Sequence, residues 1–383
     1  MTNAEMKITI AIDSFKESLT SLEAGNATAE GIRRVFPNAA ASVFPVADGG
    51  EGTVDALVLG SDGKFVNAEV TDPLGRHITA KYGILPDNTA VIEMSAASGL
   101  TLLSETERDP MLTTTYGTGE LILDAIRRGC HNFIIGIGGS ATNDGGIGCL
   151  QALGFGLLDN NDQQVAYGAK GLSQLVKITD NNVVAELKEC SFHVACDVKN
   201  PLCGDNGCSA VFAPQKGADS EMAELMDGYL RNYAELTRKY NHLASPDSAG
   251  AGAAGGLGFA LMYYLNAELR SGIELVLHSA KLEDSIKDAD MIITGEGCLD
   301  YQTAMGKAPV GIAKIAKKYE KPVIAFCGTV RDGAKLCNKN GIDAFFPVIR
   351  SVCTIEQAMD KSNAYRNLAD TTEQVFNTIK LFK

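Results

Sequence analysis

Side chains suited to phosphate chemistry are concentrated in residues 291–316. A short apolar run at 291–293 is typical of a buried parallel strand. The glycine-rich segment after it carries acidic, hydroxyl and basic side chains: Glu296, Asp300, Thr303 and Lys307. Pro309 then opens an amphipathic run, and proline suits the first turn of a helix. Because glycines let a backbone approach an anion and carboxylates bind a cation, this stretch predicts a phosphate-binding strand–loop–helix unit.

Four further loops follow predicted strands and carry similar side chains. They contain Asp13, Ser14 and Lys16; Asp48 and Glu51; Ser140, Thr142, Asn143 and Asp144; and Asp197 and Lys199. Any one of these residues could have a purely structural role, in a turn, at a helix start or in a surface ion pair. Ligands of open α/β sheets, however, bind at the carboxyl ends of strands. The clustering at strand ends therefore favours a functional interpretation.

Familiar nucleotide and metal motifs do not fit. A Walker A loop ending at Gly306 would need glycine at Tyr301 and a hydroxyl at Ala308. A GxSxG elbow would need glycine at Thr142. The GxGxxG pattern at 250–255 follows no buried strand, although the helix start containing Gly255 and Gly256 could bind phosphate through its N–H groups. Cysteines 196, 203 and 208 lack the paired spacing of a zinc site.

The order of predicted elements indicates an α/β protein. Strands alternate with helices near both ends of the chain, whereas 65–70, 78–85 and 89–94 alternate like antiparallel strands. Neither end makes a full sheet alone. We therefore predict a Rossmann-like parallel-sheet domain from residues 1–66 and 285–383, interrupted by an inserted mixed α/β domain at 67–284. The active site is expected in the cleft between the two domains.

Composition excludes several classes of partner. The 383 residues carry a formal net charge of −13, which argues against binding nucleic acid or an anionic membrane. No apolar run approaches the ~20 residues of a membrane span, and the N-terminus lacks a signal-peptide layout. The 10 cysteines include no CxxC pair and indicate reduced thiols. We expect a cytoplasmic protein of undetermined oligomeric state.

Seven motifs in chain order resemble those of the bacterial glycerate kinase family, of the type used in glyoxylate and glucarate catabolism. They are SFKESLTS, PVADGGEGT, GGSATNDGG, CDVKNPLCG, FAPQKGA, GAAGGLGF and TGEGCLDYQTAMGKAP. The resemblance spans nearly the whole chain and departs mildly at Cys208. It implies ATP-dependent phosphorylation of D-glycerate with Mg²⁺, and for this branch 2-phosphoglycerate as the product. It also agrees with the interrupted Rossmann-like architecture.

Together with the resemblance, the strand-end residues suggest specific roles. Asp197, or alternatively Asp48, would orient or deprotonate the glycerate hydroxyl, and Lys307 would stabilise the transferring phosphoryl group. The other expected ligands fall into three groups: Ser14, Lys16 and Thr303 for glycerate; Gly138, Gly139, Ser140, Thr142, Asn143, Gly255 and Gly256 for nucleotide phosphates; and Asp144 and Asp300 for Mg²⁺.

Three alternatives stay open at this point. Phosphorylation could occur at the 3-hydroxyl of glycerate. An NAD-dependent hydroxy-acid oxidoreductase could use the same kind of sheet, although the segment after the first strand, DSFKES, contains no glycine fingerprint. A non-enzymatic two-domain sensor could close on a small acid, but this interpretation leaves the acid-rich loops unexplained.

Overall fold

Two compact units make up the chain. The computed structural model describes residues 6–16, 18–47, 52–272 and 282–382. Unit 1 comprises Met1–Asp48, Asp55–Ser61 and Val276–Lys383. Unit 2 comprises Gly49–Val54 and Asp62–Leu275. Both ends of the chain therefore contribute to unit 1, and the middle of the chain forms unit 2.

The strands of the described residues are β1 (Lys7–Ile12), β2 (Ala40–Val43), β3 (Lys64–Thr71), β4 (His77–Ile84), β5 (Thr89–Glu93), β6 (Asn132–Gly136), β7 (Gly156–Leu158), β8 (Lys177–Thr179), β9 (Ser191–Ala195), β10 (Glu268–Arg270), β11 (Met291–Leu299), β12 (Val323–Val330) and β13 (Ala344–Pro347).

Their α-helices are α1 (Ser21–Val35), α2 (Thr53–Gly60), α3 (Ser95–Ser98), α4 (Tyr116–Arg127), α5 (Ile147–Ala152), α6 (Gly168–Leu172), α7 (Cys208–Phe212), α8 (Ser220–Tyr240), α9 (Leu257–Tyr264), α10 (Leu282–Asp288), α11 (Tyr301–Ala304), α12 (Ala308–Lys318), α13 (Leu336–Lys339), α14 (Ile355–Met359) and α15 (Lys361–Lys380).

Unit 1 is built on a parallel sheet with the strand order β13-β12-β11-β1-β2. Its central strands are apolar and buried, as expected where helices cover both faces of a parallel sheet. Ile8, Ile10 and Ile12 of β1 join a core that includes Leu368 and Phe376 of α15. This burial fixes the register and hence the position of the loops that follow β1 and β11.

The connections of this sheet define where a ligand can bind. From β1 the chain proceeds to β2 on one side, whereas from β11 it proceeds to β12 and β13 on the other side. The strand order therefore reverses between β1 and β11. In open α/β sheets, ligands bind at the carboxyl ends of the strands at such a switch point.

Unit 2 contains a mixed sheet with the strand order β10-β9-β6-β5-β4-β3. The predicted antiparallel pairing of the first three strands is confirmed for β3–β4 and β4–β5. Beyond them, β5, β6, β9 and β10 pair in parallel. The hydrophobic core of this unit packs against the sheet and includes Ile92, Phe133 and Val194 from its strands. The small sheet β7–β8 is antiparallel.

One predicted helix is wrong in its extent. The glycine-rich start at 250–258 predicts a helix that continues through Leu269, but α9 ends at Tyr264, and Glu268–Arg270 forms the edge strand β10. Asn266 adopts a left-handed conformation with φ of 53°. Because a single left-handed residue ends a helix, the chain turns there and pairs with β9. Among the helices of the described residues, none combines the length and apolarity needed to cross a membrane.

A substitution at Gly31 tests the close packing of α1 against α15. A Cβ at this position would lie 2.3 Å from the carbonyl oxygen of Ala369 and 2.7 Å from Cβ of Thr372. We expect Gly31→Ala to lower the free energy of unfolding by about 1–3 kcal/mol because the helices must separate. The matched control is Gly228→Ala in α8, where a Cβ would meet nothing within 4 Å. Gly228→Ala should raise the free energy of unfolding by up to about 1 kcal/mol, because alanine has the higher helix propensity. Urea unfolding followed by circular dichroism measures both; a gain at Gly31 would contradict the packing.

Candidate active site

In unit 2, three parallel strands end side by side. Glu93 of β5 is paired with Gly136 of β6, which is paired with Ala195 of β9. Adjacent strands lie about 4.8 Å apart. The 138–146 loop, which follows β6, and Asp197, which follows β9, therefore leave the same edge of the sheet next to each other.

The backbone of the 138–146 loop offers unused hydrogen-bond donors. The N–H groups of Gly138, Gly139 and Ser140 have no acceptor among the described residues. Gly139 is exposed and has a left-handed φ of 71°. Successive amides around a left-handed residue form a concave anion-binding surface. This part of the loop is thus suited to hold phosphate oxygens.

The side chains of the loop, by contrast, are turned inward. Thr142 and Asn143 are completely buried, and Ser140 is only 8% exposed. Nδ2 of Asn143 donates to Oγ of Ser209 at 2.9 Å. These three residues were predicted to bind nucleotide phosphates, but this arrangement leaves the backbone amides as the groups able to do so. Thr142 Oγ1 and Asn143 Oδ1 have no hydrogen-bond partner among the described residues.

Asp144 anchors the loop from within. Its buried carboxylate accepts hydrogen bonds from the backbone N–H and hydroxyl of Thr115, both at 2.8 Å, and from the N–H groups of Gly146 and Gly148 at 3.0 and 3.3 Å. Burial raises the pKa of Asp144, and these hydrogen bonds oppose the rise. A carboxylate enclosed by four donors does not fit the predicted role of a magnesium ligand, because Mg²⁺ retains water molecules.

Lys216 is a functional candidate that the sequence did not single out. It ends the 3₁₀ turn Pro214–Lys216 and is only 1% exposed. Its Nζ donates to Oγ of Ser140 at 2.8 Å and to the carbonyl oxygen of Thr142 at 2.6 Å. Burial lowers the pKa of Lys216 to about 8. The motif FAPQKGA contained this lysine, but nothing in the sequence indicated that the side chain is buried under the loop.

Gly255 and Gly256 support the loop by close packing. Both are buried and left-handed, with φ of 66° and 93°. A Cβ on Gly255 would lie 2.0 Å from the carbonyl oxygen of Thr142, and the N–H of Gly145 donates to the carbonyl of Gly255 at 2.9 Å. Their predicted phosphate contact is not needed to explain them, since no larger residue could approach the loop so closely.

Asp197 directly follows Cys196 at the end of β9. Its side chain is exposed, and its Oδ1 accepts a hydrogen bond from the N–H of Gly272 at 3.2 Å. The carboxylate is therefore oriented by backbone while staying accessible to a ligand. This geometry is compatible with the predicted role in proton transfer.

In unit 1, the loops after β1 and β11 lie against each other. Ile12 is paired with Gly295, and the N–H of Asp13 donates to the carbonyl of Gly295 at 2.9 Å. A Cβ on Gly297 would lie 3.4 Å from Cα of Phe15. The predicted glycerate ligands Ser14, which is half-buried, and Lys16, which is exposed, are thus next to the 295–307 segment.

Within that segment, Thr303 organises two acids. It is buried, its hydroxyl donates a short hydrogen bond to Oε1 of Glu296, and the same hydroxyl accepts from the N–H of Asp300 at 3.1 Å. Oδ1 of Asp300 caps α11 by accepting from the N–H groups of Gln302 and Thr303. Thr303 therefore positions the loop, whereas it was predicted to contact glycerate. Oδ2 of Asp300 has no donor among the described residues and can ligate a cation.

Lys307 lies at the start of α12. Its side chain is half-buried, and among the described residues its Nζ has neither a hydrogen-bond acceptor nor an ion-pair partner. An ammonium without a partner beside free helical N–H groups is suited to bind a phosphoryl group. The role predicted for Lys307, stabilising the transferring phosphoryl group, stays a prediction.

The donor set for a metal ion is sparse. Residues 6–16, 18–47, 52–272 and 282–382 contain no cluster of three or more histidine, cysteine or acidic side chains able to hold a metal. Mg²⁺ in kinases needs only one or two carboxylates in addition to phosphate oxygens and water. Asp300 fits that requirement. Asp48, the alternative base, lies outside the described residues.

Comparison with known proteins gives a consistent result. Residues 8–380 match the glycerate kinase family. The chain is 48% identical to Glycerate 2-kinase of Escherichia coli (strain K12), with 98% of each chain covered. It is 46% identical to Glycerate kinase of Bacillus subtilis (strain 168), with 99% of each covered. A solved structure named as glycerate kinase 2 from Salmonella typhimurium LT2 superposes with a TM-score of 0.89 at 48% identity, covering 99% of both chains.

Asp144 provides a stability test of the loop anchor. Asp144→Ala leaves four buried donors without an acceptor, so we expect the free energy of unfolding to fall by about 3–5 kcal/mol. The matched control is Asp159→Ala, because Asp159 also accepts two backbone N–H bonds, from Asn161 and Gln163, but is half-exposed and accessible to water. Replacing Asp159 should lower the free energy of unfolding far less, because water can satisfy the two exposed N–H groups. Equal urea midpoints for the two variants would contradict the anchoring role.

Proposed function

The chain belongs to the glycerate kinase family, and we propose that it transfers the terminal phosphoryl group of ATP to the 2-hydroxyl of D-glycerate in the presence of Mg²⁺. The protein is a kinase, since the family match covers residues 8–380. That match is the observation which carries the proposal. The choice of the 2-hydroxyl is supported by the name of the Escherichia coli relative, Glycerate 2-kinase.

The amides of the 138–146 loop are proposed to bind the phosphates of ATP. Phosphoryl transfer depends on alignment of the two oxygens and on neutralisation of charge. Backbone amides fixed by buried hydrogen bonds require no reorganisation when charge develops on the phosphoryl oxygens. Support for this role comes from the free N–H groups of Gly138, Gly139 and Ser140 and from the exposure of Gly139.

Asp197 is proposed to orient the hydroxyl of glycerate and to accept its proton. A carboxylate can do so when one oxygen is fixed by backbone and the group stays exposed. The hydrogen bond from Gly272 to Oδ1 and the exposure of Asp197 meet both conditions.

The loops of unit 1 supply the remaining proposed groups. Lys307 would donate to the transferring phosphoryl group, and Ser14 with Lys16 would bind the carboxylate of glycerate. Oδ2 of Asp300 would hold Mg²⁺, which when bound adds positive charge next to the phosphate oxygens. The support is the position of these residues after β1 and β11, where the strand order reverses.

Identification of the product tests the reaction. The purified protein is incubated with D-glycerate, ATP and Mg²⁺, ADP formation is followed by a coupled assay, and the product is identified by ³¹P and ¹³C NMR. We expect ADP and 2-phosphoglycerate in equal amounts, and EDTA should abolish turnover. A 3-phosphoglycerate product would overturn the position assignment, and a lack of ADP formation would overturn the proposed reaction.

Removing the carboxylate of Asp197 should impair catalysis. Asp197→Asn retains the size of the side chain but cannot accept a proton, so we expect kcat to fall by about 10²–10⁴-fold. Asp205→Asn, at an exposed acid in the same segment of the chain, is the matched control and should leave kcat unchanged. Near-normal turnover by Asp197→Asn would show that Asp197 is not the group that accepts the proton.

Truncating Lys307 removes the proposed phosphoryl donor. We expect Lys307→Ala to lower kcat by about 10²–10³-fold with intact folding, because charge on the transferring group loses a fixed cation. The control Lys314→Ala removes an exposed lysine from the same helix and should behave as the unmodified enzyme. Steady-state kinetics measures kcat of both variants, and circular dichroism shows whether each is folded. A folded Lys307→Ala enzyme with full kcat would exclude the proposed role of Lys307.

A further inference from the structure

Lys216 has a charge without an obvious counter-ion. Its Nζ contacts two neutral acceptors, Oγ of Ser140 and the carbonyl oxygen of Thr142. Asp144 acts on Lys216 electrostatically, but no carboxylate among the described residues forms an ion pair with its Nζ. An ammonium has three N–H donors, and only two acceptors are present here. The buried side chain is therefore both charged and incompletely hydrogen-bonded.

Such an arrangement is costly unless another group compensates it. Transfer of an unpaired ammonium from water to a protein interior is strongly unfavourable. Replacing Lys216 by an apolar side chain would remove that cost, yet the chain buries the ammonium directly beneath the 138–146 loop. Two further polar atoms of the same loop, Thr142 Oγ1 and Asn143 Oδ1, are buried without a partner. The ammonium of Lys216 thus lacks a third acceptor and a direct ion-pair partner among the described residues.

We propose that Lys216 is a positioning residue for nucleotide binding, whose ammonium acts through the 138–146 loop on a phosphate group bound by the amides of Gly138, Gly139 and Ser140. This inference rests on the proposed function and extends it to a residue that does not touch the substrate. Nζ holds the loop by Ser140 and Thr142, so it fixes the direction of the amides and adds positive potential behind them. A phosphate in turn supplies the missing negative charge.

A reciprocal effect on the proton of Lys216 follows from this coupling. Burial lowers the pKa of Lys216 to about 8, so part of the free protein lacks this charge near pH 8. A bound anion favours the charged form and raises the pKa again. Binding must therefore take up protons near pH 8, and nucleotide affinity must fall as the pH rises from 7 to 9.

Other charged groups near Lys216 cannot produce the same effect. Burial raises the pKa of the Cys208 thiol to about 12 and the pKa of Tyr233 well above its ordinary value, so both stay neutral in this range. Asp144 acts on Lys216 electrostatically, and its carboxylate accepts hydrogen bonds from Thr115, Gly146 and Gly148.

Calorimetry of ADP binding in the presence of Mg²⁺ tests the inference. Titrations at pH 8 in two buffers of different ionisation enthalpy give the number of protons taken up. We expect up to about half a proton for the unmodified protein and none for Lys216→Met, which removes the charge at similar length. The variant should bind ADP about tenfold more weakly at pH 7 and lose the fall in affinity between pH 7 and pH 9. A purely structural role of Lys216 would alter affinity without altering proton uptake.

The control is Lys170→Met, which removes an exposed lysine of the same unit and should keep proton uptake unchanged. If Lys216→Met does not fold, the unmodified protein is compared with Lys216→Arg. Because arginine stays charged, ADP binding to Lys216→Arg must take up no proton. Nucleotide binding by the unmodified protein without proton uptake, or identical uptake by Lys216→Met, would overturn the inference. Failure of the proposed function is recognised separately, because the unmodified protein would then form no ADP from ATP and D-glycerate.

Discussion

Both sets of candidate residues depend on parallel pairing between neighbouring strands. Parallel strands run in the same direction, so the loops that follow them leave at one edge of the sheet. In unit 1 the pairing of Ile12 with Gly295 sets the 13–16 loop beside the 295–307 segment. In unit 2 the pairing of Gly136 with Ala195 sets the 138–146 loop beside Asp197. Residues far apart in the chain thus become neighbours through backbone hydrogen bonds and buried apolar side chains.

Buried polar groups then fix the shape of each loop. Asp144 and Lys216 hold the 138–146 loop from inside, and Thr303 links Glu296 to the start of α11. Inside a protein such hydrogen bonds are strong when they are satisfied and costly when they are not, so one loop geometry is strongly preferred. The amides of Gly138, Gly139 and Ser140, which have no acceptor among the described residues, thus belong to a loop that is held by buried hydrogen bonds. Rigidity is useful for phosphoryl transfer, since a preorganised site stabilises charge without first reorganising.

Local sequence patterns predicted the elements well and the orientation of loop side chains poorly. The sequence of residues 220–240 predicts one long helix, and the structure forms α8 over the same span, with Asp219 capping its start. Helix and strand periodicity depend on near neighbours, so the sequence contains that information. The burial of Thr142 and Asn143 instead depends on what packs against them from distant parts of the chain. Lys216 is the extreme case, because lysine is almost never fully buried and no local pattern marks an exception.

The net negative charge of the protein affects how the amides of the 138–146 loop and the buried ammonium of Lys216 can attract an anion. A formal net charge of −13 repels anions, and at physiological salt this repulsion is screened over about 8 Å. Groups that attract a small anion must therefore act at short range. Backbone amides carry no net charge, and the charge of Lys216 is withdrawn from the surface. In the proposed arrangement, a small phosphate at the loop would experience the amides and the ammonium behind them, whereas the net negative charge of the protein opposes the approach of a polyanion. Burying the cation thus favours small phosphorylated ligands over large ones.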